Sequence, residues 1–136
     1  MSASDDVLIG TSQDLASFVN TLNNLLGISL KPNESDGAEG YVFRNDEIWM
    51  YVWINDLVND RWLNFEDYNL HINILYRCVQ GVTGEQMVEA SRLFARHCFE
   101  KLKETNAYRL MLVHDVQVLM DVFAPDCTDK PLDFTI

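Results

Sequence analysis

Residues 40 to 55 constrain what this chain can fold into more than any other stretch. Two runs, Tyr41-Val42-Phe43-Arg44 and Glu47-Ile48-Trp49-Met50-Tyr51-Val52-Trp53-Ile54, flank Asn45-Asp46. That pair tolerates positive φ and suits a two-residue β-hairpin turn. Strand side chains alternate between faces, so one face of the longer run carries Ile48, Met50, Val52 and Ile54 and the other Trp49, Tyr51 and Trp53. With Asn45-Asp46 at the turn, Phe43 faces Ile48, Tyr41 faces Met50, Val42 faces Trp49 and Arg44 faces Glu47. The aliphatic side then belongs to a core, and the aromatic side is the chemically unusual surface.

The stretches around the hairpin complete an α+β pattern. Residues 1 to 10 read as a loose arm, with Asp6-Val-Leu-Ile-Gly10 packing at its end. Thr11 suits a helix N-cap, with Asp14 three residues on. Leu15, Phe18, Val19, Leu22, Leu25 and Leu26 then recur with helical spacing, and Gly27 fits the left-handed position after the helix. Ile28 to Leu30 reads as a short extended piece and Lys31 to Glu39 as a loop. Asn55 to Asn64 is a polar connection whose Leu57, Val58, Trp62 and Leu63 imply that it packs down. A third strand over about Phe65 to Arg77 alternates clearly from Leu70: Leu70, Ile72, Ile74 and Tyr76 on one face, Asn69, His71, Asn73, Leu75 and Arg77 on the other.

Thr83 and Gln86 form a capping box for a long helix with the stripe Met87, Ala90, Ser91, Phe94, Ala95, Cys98 and Leu102; Lys101 and Lys103 suit its C-terminal dipole and Asn106 its stop. Tyr108 to His114 reads as a fourth strand. Val116 to Phe123 fits a short helix capped by Asp115, since Val116, Leu119, Met120 and Phe123 have helical spacing, or a fifth strand. The expected fold is one domain over 1–136, irregular at 1–10 and 124–136. Its antiparallel sheet has four or five strands, with both main helices on one face, in the order α-β-β-β-α-β-(α or β).

Register places Trp49, Tyr51 and Trp53 near His71, Asn73 and Arg77. Aromatic rings among imidazole, amide and guanidinium groups resemble a recognition surface, because Trp, Tyr and Arg are the types on which binding energy concentrates. The competing reading is ordinary half-burial, or cover by the 55–64 connection or the C-terminal tail. The surface is bordered by Asp46, Glu47, Asp56, Asp60, Glu66 and Asp67.

Charge fits either a basic protein partner or plain solubility. The chain carries 21 Asp/Glu against 10 Lys/Arg, a formal −11; residues 1–70 hold 12 acids against 3 bases, and residues 71–136 hold 9 against 7. Such a field repels nucleic acid and anionic membrane and speeds encounter with a basic partner. No apolar run approaches the roughly 18 residues of a membrane span, and the first residues lack the basic start and apolar run of a signal peptide. Cys78, Cys98 and Cys127 form an odd set without paired spacing, as expected of free thiols in a reducing cytoplasm.

Patterns for chemistry are sparse. Cys78, His97 and Cys98 lack zinc spacing. Asp56, Asn59 and Asp60 lack the alternating ligands, Gly and terminal Glu of a calcium loop. No cofactor motif is present. His71, His114 and Asp115 could approach one another if the third and fourth strands are neighbours. Adjacent Glu66 and Asp67 face opposite ways and make a poor acid–base couple. A non-catalytic protein is the expectation.

The segment Ala95-Arg-His-Cys-Phe-Glu-Lys-Leu-Lys-Glu-Thr-Asn-Ala-Tyr-Arg-Leu-Met-Leu-Val-His-Asp115 resembles the C-terminal half of small α/β immunity proteins of bacterial toxin systems. The resemblance implies a cytoplasmic protein that binds and blocks a cognate toxin domain, often with an acidic surface against a basic nuclease. In size, acidity and helix–three-strands–helix order the chain also resembles type III secretion chaperones, which dimerise and hold a secreted effector. Its long second helix and the absence of a clear amphipathic final helix depart from them. A monomer or a homodimer is compatible with these readings, and a small enzyme is a third.

Overall fold

Asn45 decides the register of the hairpin. In the computed structural model, which describes residues 4–33, 40–59, 63–78, 80–114 and 118–125, strands β3 (Tyr41–Arg44) and β4 (Ile48–Ile54) pair antiparallel. The Asn45 side chain accepts the backbone N–H groups of Glu47 and Ile48 at 2.8 and 2.9 Å, and the Asn45 N–H donates to the Ile48 carbonyl at 3.1 Å. Asn45 is thus the first residue of the turn, a position that its side chain favours, and Asp46-Glu47 forms the tip. Phe43 pairs with Met50, Tyr41 with Val52, Val42 with Tyr51 and Arg44 with Trp49. Each expected partner moves by two residues. Because side chains alternate with period two, the faces are unchanged.

The remaining elements are β1 (Ser4–Gly10), α1 (Leu15–Leu26), β2 (Lys31–Pro32), β5 (Leu70–Tyr76), α2 (Gly84–Glu104), β6 (Arg109–His114) and β7 (Val118–Phe123). Among the described residues they build an α+β fold with one seven-stranded antiparallel sheet in the order β2-β3-β4-β5-β1-β6-β7. Three expectations are corrected. Residues 4–10 are a strand between β5 and β6 and not a loose arm. The short strand after α1 lies at Lys31–Pro32, not at 28–30; as an outermost strand it tolerates a proline, which has no N–H to donate. Val118–Phe123 is a strand, so the alternative to a short helix is the one realised. Pairing with β6 satisfies the backbone groups on one edge of it, across a bulge between Leu112 and Val113. Asp115, the expected cap of that helix, and the tail from 126 lie outside the described residues.

Both helices cover one sheet face. Phe18, Val19 and Leu22 of α1 and Ala95, Cys98, Phe99 and Leu102 of α2 close over Val7, Ile9, Ile48, Met50, Val52, Leu70, Ile72, Ile74, Leu110 and Leu112. The cap of α1 is Asp14, not Thr11: its carboxylate accepts the Ser17 N–H at 2.8 Å, and this bond holds the carboxyl below its ordinary pKa. Gly27 ends the helix at φ 66, and Thr83 and Gln86 form the capping box of α2. Among the described residues no helix is long and apolar enough to cross a membrane.

Candidate functional site

The second sheet face is divided. Over β1, β6 and β7 the connection after β4 folds back as a cover. Leu63, Phe65 and Tyr68 pack on Leu8, Met111 and Val113, with Leu57, Leu119 and Val122 at the margin. Asn55 staples this connection: its side-chain amide donates to the carbonyls of Phe65 and Tyr68 at 2.9 and 2.8 Å. A single 3₁₀ turn, Phe65–Asp67, tilts Phe65 into the cluster. Burial pushes the Tyr68 phenol up to about 12, and among the described residues its oxygen has no hydrogen-bond partner.

Beside that cover stand Trp49, Tyr51 and Trp53, each half-buried. Their alternation on β4 puts all three on this face, opposite Leu75, Asn73 and His71 of β5 respectively. The Trp49 and Tyr51 rings are stacked at 6.3 Å with planes 3° apart; Tyr51 and Trp53 lie 5.9 Å apart, tilted by 55°. Trp53 meets the His71 imidazole edge-on at 5.1 Å. At the other end the Arg44 and Arg77 guanidiniums lie over the Trp49 ring at 5.1 and 5.3 Å. The result is a continuous column of rings, cationic at one end.

A buried carboxylate fixes the histidine end. Asp6 Oδ1 lies 2.7 Å from His71 Nε2 and accepts from Asn73 Nδ2 at 2.6 Å, while Ser4 Oγ donates to Oδ2 at 2.9 Å. With the carboxylate as acceptor, the proton sits on Nε2, and His71 Nδ1 is buried without a partner among the described residues. On the helix side Asp5 is held in parallel fashion, 2.8 Å from His114 Nδ1 and accepting from Ser91 Oγ at 3.0 Å. Arg92 Nη2, which can only donate, lies 3.3 Å from His114 Nε2, so the imidazole proton of His114 is on the Asp5 side.

His71 and His114 do not converge. β1 separates their strands, and Asp6 and Asp5 hold them on opposite faces. Sequence reading missed both aspartates, because no local pattern marks an acid whose partner is 65 or 109 residues away. Among the described residues no three His, Cys, Asp or Glu side chains stand where they could hold a metal ion.

The structure therefore brings Trp49, Tyr51, Trp53, His71, Asn73 and Arg77 together. The expected acidic border is mixed. Asp46 and Glu47 are exposed at the hairpin tip, and Asp56 is exposed just after β4. Glu66 and Asp67 are exposed but engaged: Glu66 accepts the Asn59 N–H at 3.1 Å, its own N–H donates to the Asn59 side chain at 2.9 Å, and Asp67 accepts from Asn64. These two brace the cover. Asp60 lies outside the described residues. No family model, curated protein or solved structure matches the chain.

Proposed function

We propose that this chain is an acidic, non-catalytic binding protein whose contact surface is the column Trp49–Tyr51–Trp53, and that it acts as an immunity protein neutralising a cognate basic toxin domain. The observation that carries the reading is three half-buried aromatic side chains set in one column on the part of the sheet face beside the cover formed by Leu57, Leu63, Phe65 and Tyr68. Aromatic groups already held in one rotamer lose little entropy on binding. The Trp49 ring is engaged by Tyr51 and by two guanidiniums, and the Tyr51 ring lies between Trp49 and Trp53. What they offer a partner is ring edges and the polar tips of indole and phenol, which suits a protein surface better than a base or sugar that needs an open ring face. The exposed acids Asp46, Glu47 and Asp56 and the net charge of −11 favour a basic partner. The secretion-chaperone reading draws no support from the observed order, in which a strand precedes the first helix and two strands follow the second.

The test is co-expression with candidate toxin domains encoded beside the chain in its native genome. The reading expects a stoichiometric complex that abolishes the toxin's activity, associates more slowly as salt is raised, and weakens when Tyr51 or Trp53 is replaced by Ala. A complex indifferent to those substitutions and to salt would remove the column and the charge from the account.

A further inference from the structure

The column has a basic end that no carboxylate among the described residues neutralises. Residues 1–70 contain 3 Lys/Arg against 12 Asp/Glu, yet two of the three, Lys31 and Arg44, line one hollow of about 430 Å³ with Trp49, Phe43, Val42 and Ser29. Arg77, arriving from the end of β5, places a second guanidinium over the same Trp49 ring. Among the described residues none of Lys31, Arg44 and Arg77 has a carboxylate within ion-pair distance. Arg96 on α2 shows the contrasting case: it takes Glu100 at 3.2 Å and Asp121 at 2.7 Å, and the Asp121 bond raises its pKa. In a chain with twice as many acids as bases, three cations around one ring, without an ion pair among the described residues, form a local reversal of the field. Like charges at that spacing repel one another.

The hollow exists because the chain parts from β3 there. Lys31 pairs with Val42, but the preceding Leu30 is buried in the core and its N–H donates to the Asn23 side chain at 2.8 Å. Ser29 and Leu30 are thereby drawn away from Phe43 and Arg44. Beyond Val42 the outer edge of β3 has no neighbouring strand among the described residues. An open strand edge accepts an extended segment through backbone hydrogen bonds.

We infer that this corner binds a carboxylate on an extended acidic segment of the protein partner; the inference rests on the column being the contact surface. Guanidinium forks match planar oxyanions in bidentate fashion. The Trp49 ring lies under the Arg44 guanidinium at 5.1 Å, and Arg77 is steadied by its own bond to the Asn45 carbonyl at 2.5 Å. The surrounding acids disfavour a polyphosphate backbone. A partner that is basic overall and carries one acidic segment can seat in a single orientation, since reversing it would set like charges together at both ends.

The test titrates the full chain with a capped hexapeptide, Val-Glu-Val-Glu-Val-Thr, and with its Gln counterpart, following tryptophan emission and the arginine side-chain N–H signals. The Glu peptide is expected to bind at least about tenfold more tightly than the Gln peptide. Arg44→Gln and Lys31→Gln should each abolish that preference, Glu47→Gln should keep it, and Trp49→Phe should remove the emission change. Lys31 is exposed, so its variant reports on the site without disturbing the core. Equal binding of the two peptides, no response to either, an undiminished preference in Arg44→Gln, or a response to a short oligonucleotide but not to the Glu peptide would each overturn the proposal. The titration needs no toxin. Peptide binding without any toxin complex removes the immunity reading and keeps the site, and the converse result keeps the reading and removes the site.

Discussion

Asp5 and Asp6 are neighbours in the chain, yet their carboxylates are sealed on opposite faces of the sheet, Asp5 against His114 and Asp6 against His71. A strand between β5 and β6 could not otherwise hold two acids, because an isolated buried carboxylate is strongly unfavourable. Each acid here has several donors: Ser91 and His114 for Asp5, and Ser4, His71 and Asn73 for Asp6.

Asp6 is fully buried, so Asp6→Ala should leave three polar groups without their acceptor and destabilise the fold by about 3–5 kcal/mol. Asp6→Asn, which keeps the shape and one acceptor, should lose less. Urea unfolding followed by tryptophan emission measures both, and the Trp53 contribution should shift because His71 is its neighbour. A loss below about 1 kcal/mol for Asp6→Ala would mean that the network does not organise this end of the column.

Gly40 supports the same end from the other side. Its φ is +114, and a Cβ there would meet the Val52 carbonyl oxygen at 2.6 Å and Trp53 Cβ at 2.9 Å. Gly40→Ala should therefore destabilise by roughly 1–3 kcal/mol through backbone strain and displace Trp53. Thermal unfolding together with near-ultraviolet circular dichroism distinguishes this from a change elsewhere. An unaltered aromatic spectrum would show that Trp53 does not depend on that contact.

These two sites mark where sequence reading reaches its limit. The capping box of α2, the Gly27 stop and the alternation that builds the column are local patterns, and each appears in the structure where local chemistry placed it. The hairpin faces survive a misplaced turn because the displacement is an even number of residues. β1 was hidden because Asp5-Asp6 looks like a solvated start, and only long-range partners make it a strand. β7 was ambiguous because VLMDVF satisfies helical and extended spacing equally over so short a run. The division of the second face depends on Asn55 reaching carbonyls 10 and 13 residues ahead, which no periodicity reveals. Glu66 and Asp67 read as surface acids, although each braces the cover.

The two described cysteines should behave oppositely. Cys78 is exposed, while Cys98 is buried in the main core and burial pushes its thiol well above the usual range. Thiolate is the reactive form. In a Cys127→Ser background one thiol should react with a disulfide reagent at the solvent-exposed rate, and the second only as fast as the protein unfolds. Two rapidly reacting thiols in the folded Cys127→Ser protein would contradict the placement of α2 on the sheet.

Tyr68 offers a prediction in which removing a group stabilises the fold. Its phenol oxygen is buried and has no partner among the described residues, and an unsatisfied buried hydroxyl is unfavourable relative to water. Tyr68→Phe keeps the ring in contact with Leu8 and Met111 and should raise stability at pH 7 by about 1 kcal/mol. Burial, the largest influence, raises the folded-state pKa from 10.0 to about 12, so the neutral phenol is the form that the fold favours. Below pH 10 the phenol is protonated in both states and its contribution is fully present. Between pH 10 and about 12 the unfolded chain ionises first, so stability falls as pH rises through that window. The Phe variant lacks this component. Urea unfolding of the two chains from pH 7 to pH 12 should give curves that separate further above pH 10, with the variant the more stable throughout; parallel curves, or a less stable variant at pH 7, would mean that the hydroxyl has a partner when folded.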